Sequence, residues 1–191
     1  MRILATVLLL FAFAAGAPSL AAPRAIDVSH SKITVYVTKQ GLFSFLADNH
    51  VIAAPIAAGA CDKARKQIDL TVSAAKMLVL DPKLDAGRRA QVQSNMTGPQ
   101  VLDVAKYPTI AFRSTSINES NANRWVVSGN LTLHGQTHPI TFQLRKLDAN
   151  RFSGSVTIRQ TAFGITPIKI AGGTVRVKDN VTVSFQVALK P

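Results

Sequence analysis

From Lys32 to Leu189 apolar residues recur at every second position, and no other feature limits the possible folds so sharply. Ile33, Val35 and Val37 alternate with Lys32, Thr34, Tyr36 and Thr38, and Ile68, Leu70 and Val72 with Gln67, Asp69, Thr71 and Ser73. The same rhythm returns in Ile110 and Phe112, Trp125 and Val127, Leu131 and Leu133, then Ile140, Phe142 and Leu144. It continues in Val156 and Ile158 and closes with Val181, Val183, Phe185, Val187 and Leu189. Side chains of a strand point alternately to opposite faces, so each run has one apolar and one polar face. Turn signals separate the runs: "NESNAN" (118–123), "HG" (134–135), "DAN" (148–150) and "DN" (179–180). "AGG" (171–173) reads as a further turn rather than a phosphate loop. Many antiparallel strands joined by short turns make an all-β protein, either a closed up-and-down barrel or a sandwich.

One segment departs from this rhythm. "DPKLDAGRRAQVQSNM" (81–96) offers Asp81 as N-cap and Pro82 as first helical residue, and "TGP" (97–99) stops the run. The spacing predicts a short helix with Val92 and Met96 turned inward. A second helix of one turn is expected over Phe43 to Leu46.

The chain of 191 residues has room for one domain with a real core. It opens "MRILATVLLLFAFAAGAPSLAAPRA", a basic residue, an apolar run and then small residues, the layout of a secretory signal peptide. Residues 1–21 are therefore expected to be cleaved, leaving a periplasmic or secreted domain over 22–191. The apolar run is shorter than the roughly 20 residues a membrane span needs.

Lys and Arg number 22 against 10 Asp and Glu, a net charge of +12, and one of the basic residues, Arg2, belongs to the leader. The charges are scattered, the densest group being "KARK" (63–66). Together with export this argues against nucleic acid and for a salt-sensitive approach to an anionic membrane. The single cysteine, Cys61, can form no internal disulfide and is read as a small, partly buried apolar residue.

His134 and His138 stand four apart in "LTLHGQTHPITF", a spacing that would pair two metal ligands on a helix. The strand rhythm on both sides places them instead about a hairpin, with Gly135 taking the positive φ of the turn and Pro139 marking an edge or bulge. A zinc site wants three or four ligands, and His30, His50 and Cys61 have no matching spacing; no metal is expected. No G-x-S-x-G elbow is present, so no catalytic residue is assigned. His50, in "DNHV", reads either as an exposed turn residue or as a polar group at a channel mouth, with Asp48 and Asn49 beside it.

"DVAKYPTIAFRSTSI" (103–117), "VSGNLTLHGQTHPITFQL" (127–144) and "FGI" (163–165), in this order and spacing, closely resemble the YceI-like proteins. The resemblance covers the C-terminal half; the closing "GTVRVKDNVTVSFQVAL" also fits, and the N-terminal third fits loosely. It implies export, an extended lipocalin-like antiparallel barrel, an apolar channel holding an isoprenoid or another long amphiphile, and in many members a homodimer. It implies no catalytic residues and no resident cofactor beyond the bound lipid. Two departures stand out. Where many relatives carry an arginine and a histidine before the tyrosine-proline pair, this chain has Val92 and Asn95, and "FSFLADNHVIAAPI" (43–56) stands in place of both the hydrophobic stretch and the glycine-rich turn that are more usual there.

A barrel of about eight strands has an interior just wide enough for packed side chains or one small ligand. Candidate lining residues are Phe45, Leu80, Val92, Met96, Phe112, Leu131, Leu133, Phe142, Phe163, Ile165 and Phe185, with His50 as the candidate polar contact; each apolar position also suits plain core packing. The expected function is non-enzymatic binding of an isoprenoid or similar amphiphile for transport or storage. The alternatives are an accessory factor docking on a membrane redox complex, or an enzyme acting on a lipid or small molecule through His50.

Overall fold

The alternating runs become strands, and their apolar faces turn to one side. The computed structural model describes residues 22–40, 49–170 and 175–191; residues 1–21 expected as a leader, Phe45, the expected turn of helix at 43–46 and the expected turn at 171–173 lie outside them. In chain order the strands are β1 (Arg24–Val37), β2 (Lys39–Gln40), β3 (His50–Ala53), β4 (Ile56–Asp62), β5 (Gln67–Ser73), β6 (Leu78–Val79) and, after the helix α1 (Ala86–Thr97), β7 (Thr109–Asn121). They continue with β8 (Arg124–Leu133), β9 (Gln136–Lys146), β10 (Arg151–Arg159), β11 (Lys169–Ile170), β12 (Val175–Val177) and β13 (Asn180–Leu189).

Eight of these, in the order β13-β10-β9-β8-β7-β5-β4-β1, form an antiparallel sheet that closes on itself through pairing of β1 with β13. The result is the lipocalin-like barrel, not the sandwich. Closure gives each of those strands a partner on both sides. β3 and β6 extend the sheet beside β1, and β11, β12 and β2 make a small second sheet. Directly opposed residues lie on the same face, so the registers Ile33↔Phe185, Leu70↔Phe112, Phe112↔Leu131 and Val127↔Phe142 gather the apolar alternates inside.

The predicted hairpin at 134–135 forms as a two-residue turn. His134 and Gly135 both have positive φ, +50° and +73°, as a type I′ turn requires to match the strand twist. The His134 ring lies edge-on to Tyr107, centroids 4.9 Å apart, and its Nδ1 lies 3.1 Å from the Phe163 carbonyl oxygen. His138 packs edge-on against Phe163 at 5.1 Å. Both histidines are wedged into the end of the barrel.

The helix starts later than expected. Its N-cap is Asp85, whose side chain accepts from the Arg88 amide at 2.9 Å, and the helix runs Ala86–Thr97. Asp81 caps nothing. Its side chain is buried, accepting from the Val51 amide at 2.7 Å and lying 2.6 Å from His50 Nδ1. A tertiary bond to β3, thirty residues upstream, outcompetes the local cap. Gln93 of α1 then covers the edge of β6: it accepts from the Val79 amide and donates to the Met77 carbonyl, both at 2.8 Å. One amide side chain thus serves the edge as a short partner strand.

Candidate functional site

The inner faces of the barrel strands leave a cavity of about 260 Å³. An apolar cavity of about 150 Å³ already stays dry and admits benzene, so this one has space for a hydrocarbon guest. Its wall draws on every barrel strand and on the far end of α1. Ile33 and Val35 come from β1, Leu70 from β5, Val183 from β13, and Met96 and Leu102 from the helix and the turn behind it.

Three phenylalanines cross the middle. Phe142 on β9 sits between Phe112 on β7, 5.5 Å away, and Phe185 on β13, 5.2 Å away, both in tilted, edge-like contact. Phe112 and Phe185 tip over glycines. A Cβ on Gly129 would lie 2.5 Å from Phe112 Cζ, and one on Gly154 2.5 Å from Phe185 Cζ. These two glycines decide where the rings rest, and so how much of the interior stays empty.

Among the described residues the wall carries no charged side chain, and its polar members are Gln160 and Cys61. Gln160 Nε2 donates to the Lys178 carbonyl at 2.9 Å, and burial pushes the Cys61 thiol above its ordinary value. The thiolate is the reactive form. At pH 8 Cys61 is therefore expected to react more slowly with a water-soluble disulfide reagent than free glutathione does. A guest filling the cavity should slow it further, which timed labelling with and without added amphiphile would check.

The sequence candidates divide between wall and surroundings. Met96, Phe112, Leu131, Leu133, Phe142, Ile165 and Phe185 line the cavity. Phe163, 2% exposed, packs in the core behind it with Val92 at its margin. Leu80 does not reach it: the residue is exposed beyond the edge strand β6, because its amide bonds to the Val51 carbonyl and turns the side chain outward. His50 is neither an exposed turn residue nor a cavity residue. It opens β3, half-buried, with its ring held against Asp81. Val35, Leu70 and Val183 were not among the candidates although they share their strands' inward parity; Ala54 and Cys61, outside any clean alternation, had no signal at all.

Outside the cavity the polar clusters are structural. Asp27, Ser29 and His30 meet in a bulge of β1, but Ser29 Oγ (3.1 Å) and Asp27 (2.8 Å) approach the same ring nitrogen of His30, so no relay from carboxylate to hydroxyl exists. The Ser29 hydroxyl and His30 hold the Asp27 carboxyl at about 2. Among the described residues no three His, Cys, Asp or Glu side chains converge as a metal site would require.

Comparison with known proteins follows the same lines. The profile of the YceI-like domain matches residues 25–189. A UPF0312 protein of Vibrio cholerae is 27% identical over 104 residues, 49% of this chain and 55% of its own length. One from Pseudomonas putida is 39% identical over 54 residues, 28% of each chain. The chain thus matches about half or less of the length of these relatives. Among solved structures, Burkholderia cenocepacia BcnA superposes with a TM-score of 0.60 at 21% identity, covering 85% of this chain and 98% of its own. A polyisoprenoid binding domain from Saccharophagus degradans, implicated in plant cell wall breakdown, superposes at 0.57 with 14% identity, covering 87% and 97%. At such identities the superpositions speak for the fold.

Proposed function

The chain belongs to the YceI-like domain family, and on that premise we propose that it is an exported, non-enzymatic carrier that shelters the tail of an isoprenoid or other long-chain amphiphile. The observation that carries this reading is the uncharged apolar cavity inside a closed barrel. Such a space holds hydrocarbon by the hydrophobic effect alone, at about 0.8 kcal/mol per buried CH₂, so ten methylenes contribute on the order of 8 kcal/mol before the entropic cost of binding. No reacting group is needed. A structural neighbour bearing the name of a polyisoprenoid binding domain is in keeping with such a cargo. The leader at 1–21 would place the carrier outside the cytoplasm, and its net positive charge would draw it to anionic membranes where such cargo resides.

Native mass spectrometry of gently purified protein is expected to show an adduct of amphiphile mass, or uptake of one on incubation; a folded protein that neither retains nor takes up such a molecule would sink the proposal. Ala54, 5% exposed, contributes a small side chain to the cavity wall. Ala54→Phe should fill part of the space and weaken binding of a fluorescent fatty acid at least about tenfold, while overpacking costs only about 1–3 kcal/mol of stability. A titration of the probe, with circular dichroism to verify folding, checks this.

A further inference from the structure

Among the described residues the wall offers the polar head of an amphiphile only Cys61 and Gln160, whose amide nitrogen already donates to the Lys178 carbonyl, so the head is better served elsewhere. Two seams of the barrel are laced over less than half of their strands: β4 meets β1 only at Arg24↔Cys61 and Ala25↔Ala60, and the second joins β9 to β10. β9 and β10 pair over four positions, from Phe152↔Lys146 to Ser155↔Gln143. Both strands continue: β9 stays paired to β8 back to Gln136↔Leu133, and β10 to β13 on to Arg159↔Asn180. The same register carried on would set Thr141 against Thr157 and Pro139 against Arg159. Residues flanking a two-residue hairpin form a hydrogen-bonded pair, so even-numbered residues of β9 aim their backbone groups at β8 and odd-numbered ones toward β10. Pro139 is odd and has no N–H to give. The seam is unlaced over four residue pairs, from Phe142 and Val156 to Pro139 and Arg159, roughly 13 Å of strand.

A groove of about 760 Å³ lies on the outer face over the laced pairs and reaches Thr141 and Thr157 at the start of the unlaced stretch. Phe142, Val156 and Phe185 border both the groove and the inner cavity. The groove's other contributors include Gln143, Arg145, Ser153, Ser155 and Thr157. Arg145 stands directly opposite Arg124 on β8, an arrangement of like charges that destabilises a sheet. Neither arginine has a carboxylate partner among the described residues. An anion between or beside them would relieve that repulsion, and arginine pairs readily with phosphate and carboxylate oxygens.

We infer that the cargo enters sideways, tail first, through the seam between β9 and β10, and leaves an anionic head in the outer groove at Arg145 and Arg124. This rests on the carrier reading and names the cargo class: a long-chain amphiphile ending in a phosphate or carboxylate, with serine and threonine hydroxyls at hand for its remaining oxygens.

Dodecyl phosphate and dodecanol separate head from tail. Arg145→Ala and Arg124→Ala are each expected to weaken dodecyl phosphate about tenfold in calorimetric titration and to leave dodecanol unchanged. Equal effects on both ligands, or none, would overturn the head site. For the seam, Thr141→Cys with Thr157→Cys in a Cys61→Ala background can be bridged by a short, cleavable bismaleimide and the bridge verified by mass. Dodecyl phosphate uptake by this one protein should slow at least tenfold after bridging and recover on cleavage; an unchanged rate would overturn lateral entry. If the unmodified protein binds neither dodecyl compound, the carrier reading fails, and this inference with it.

Discussion

Asp81→Ala is expected to lower the stability of the protein by about 2–4 kcal/mol. Asp81 is 5% exposed, and its carboxylate holds two groups of β3 at once, the Val51 amide and the His50 ring. Alanine would strand the Val51 N–H with no acceptor and release His50, and a buried donor left unpaired costs about 1–3 kcal/mol by itself. The loss is local in origin: β3 and the approach to α1 would come apart first. Asp81→Asn keeps an oxygen for Val51 and should recover about half of the loss. Urea unfolding of the three proteins decides it, with an unchanged slope and a shifted midpoint. Midpoints that coincide would mean that the buried carboxylate contributes nothing.

The second large effect is expected at Gly129. An added Cβ would meet the Arg113 carbonyl oxygen and Phe112 Cζ, each at 2.5 Å. A side chain can swing aside, but the carbonyl oxygen belongs to the β7–β8 ladder, where Arg113 pairs with Asn130 and Ser114 with Gly129. Relief therefore means shifting a strand. Gly129→Ala is expected to cost about 3 kcal/mol, at the upper end of ordinary overpacking. It should also displace the Phe112 ring toward Phe142 and shrink the cavity, so that fluorescent fatty acid binding weakens in whatever fraction stays folded. A thermal melt beside a binding titration measures both. A variant as stable as the parent would show that the ladder yields more easily than its geometry implies.

Much of the architecture can be read directly from residue order. The alternation in Ile140, Phe142 and Leu144, or in Val181 through Leu189, is a local property, and local sterics turn it into strands with one greasy side. The two-residue turn at His134 and Gly135 is legible for the same reason, since its φ demands fall on adjacent residues. The family resemblance, resting on those same stretches, pointed to a barrel where alternation alone left a sandwich open. The start of α1 shows where local reading stops. Asp81-Pro82 and Asp85 are both acceptable helix openings by composition. Nothing near Asp81 reveals that His50 and Val51 will claim its carboxylate, so the true cap is one turn later. Leu80 deceived for a related reason: it looks like one more apolar alternate, but a bond to Val51 sets it on the outer side of an edge.

Residue order by itself thus determined seven of the eight barrel strands, β4 being the exception, which of their faces is apolar, and that a helix interrupts them. Only the tertiary structure decided that β1 meets β13 to close the wall, that rings resting on glycines leave the middle unfilled, and that β9 and β10 part beyond Gln143. The difference has a physical cause. Strand and turn preferences arise between neighbours in the chain, whereas closure, emptiness and parted edges depend on how distant surfaces compete for the same space and the same hydrogen bonds.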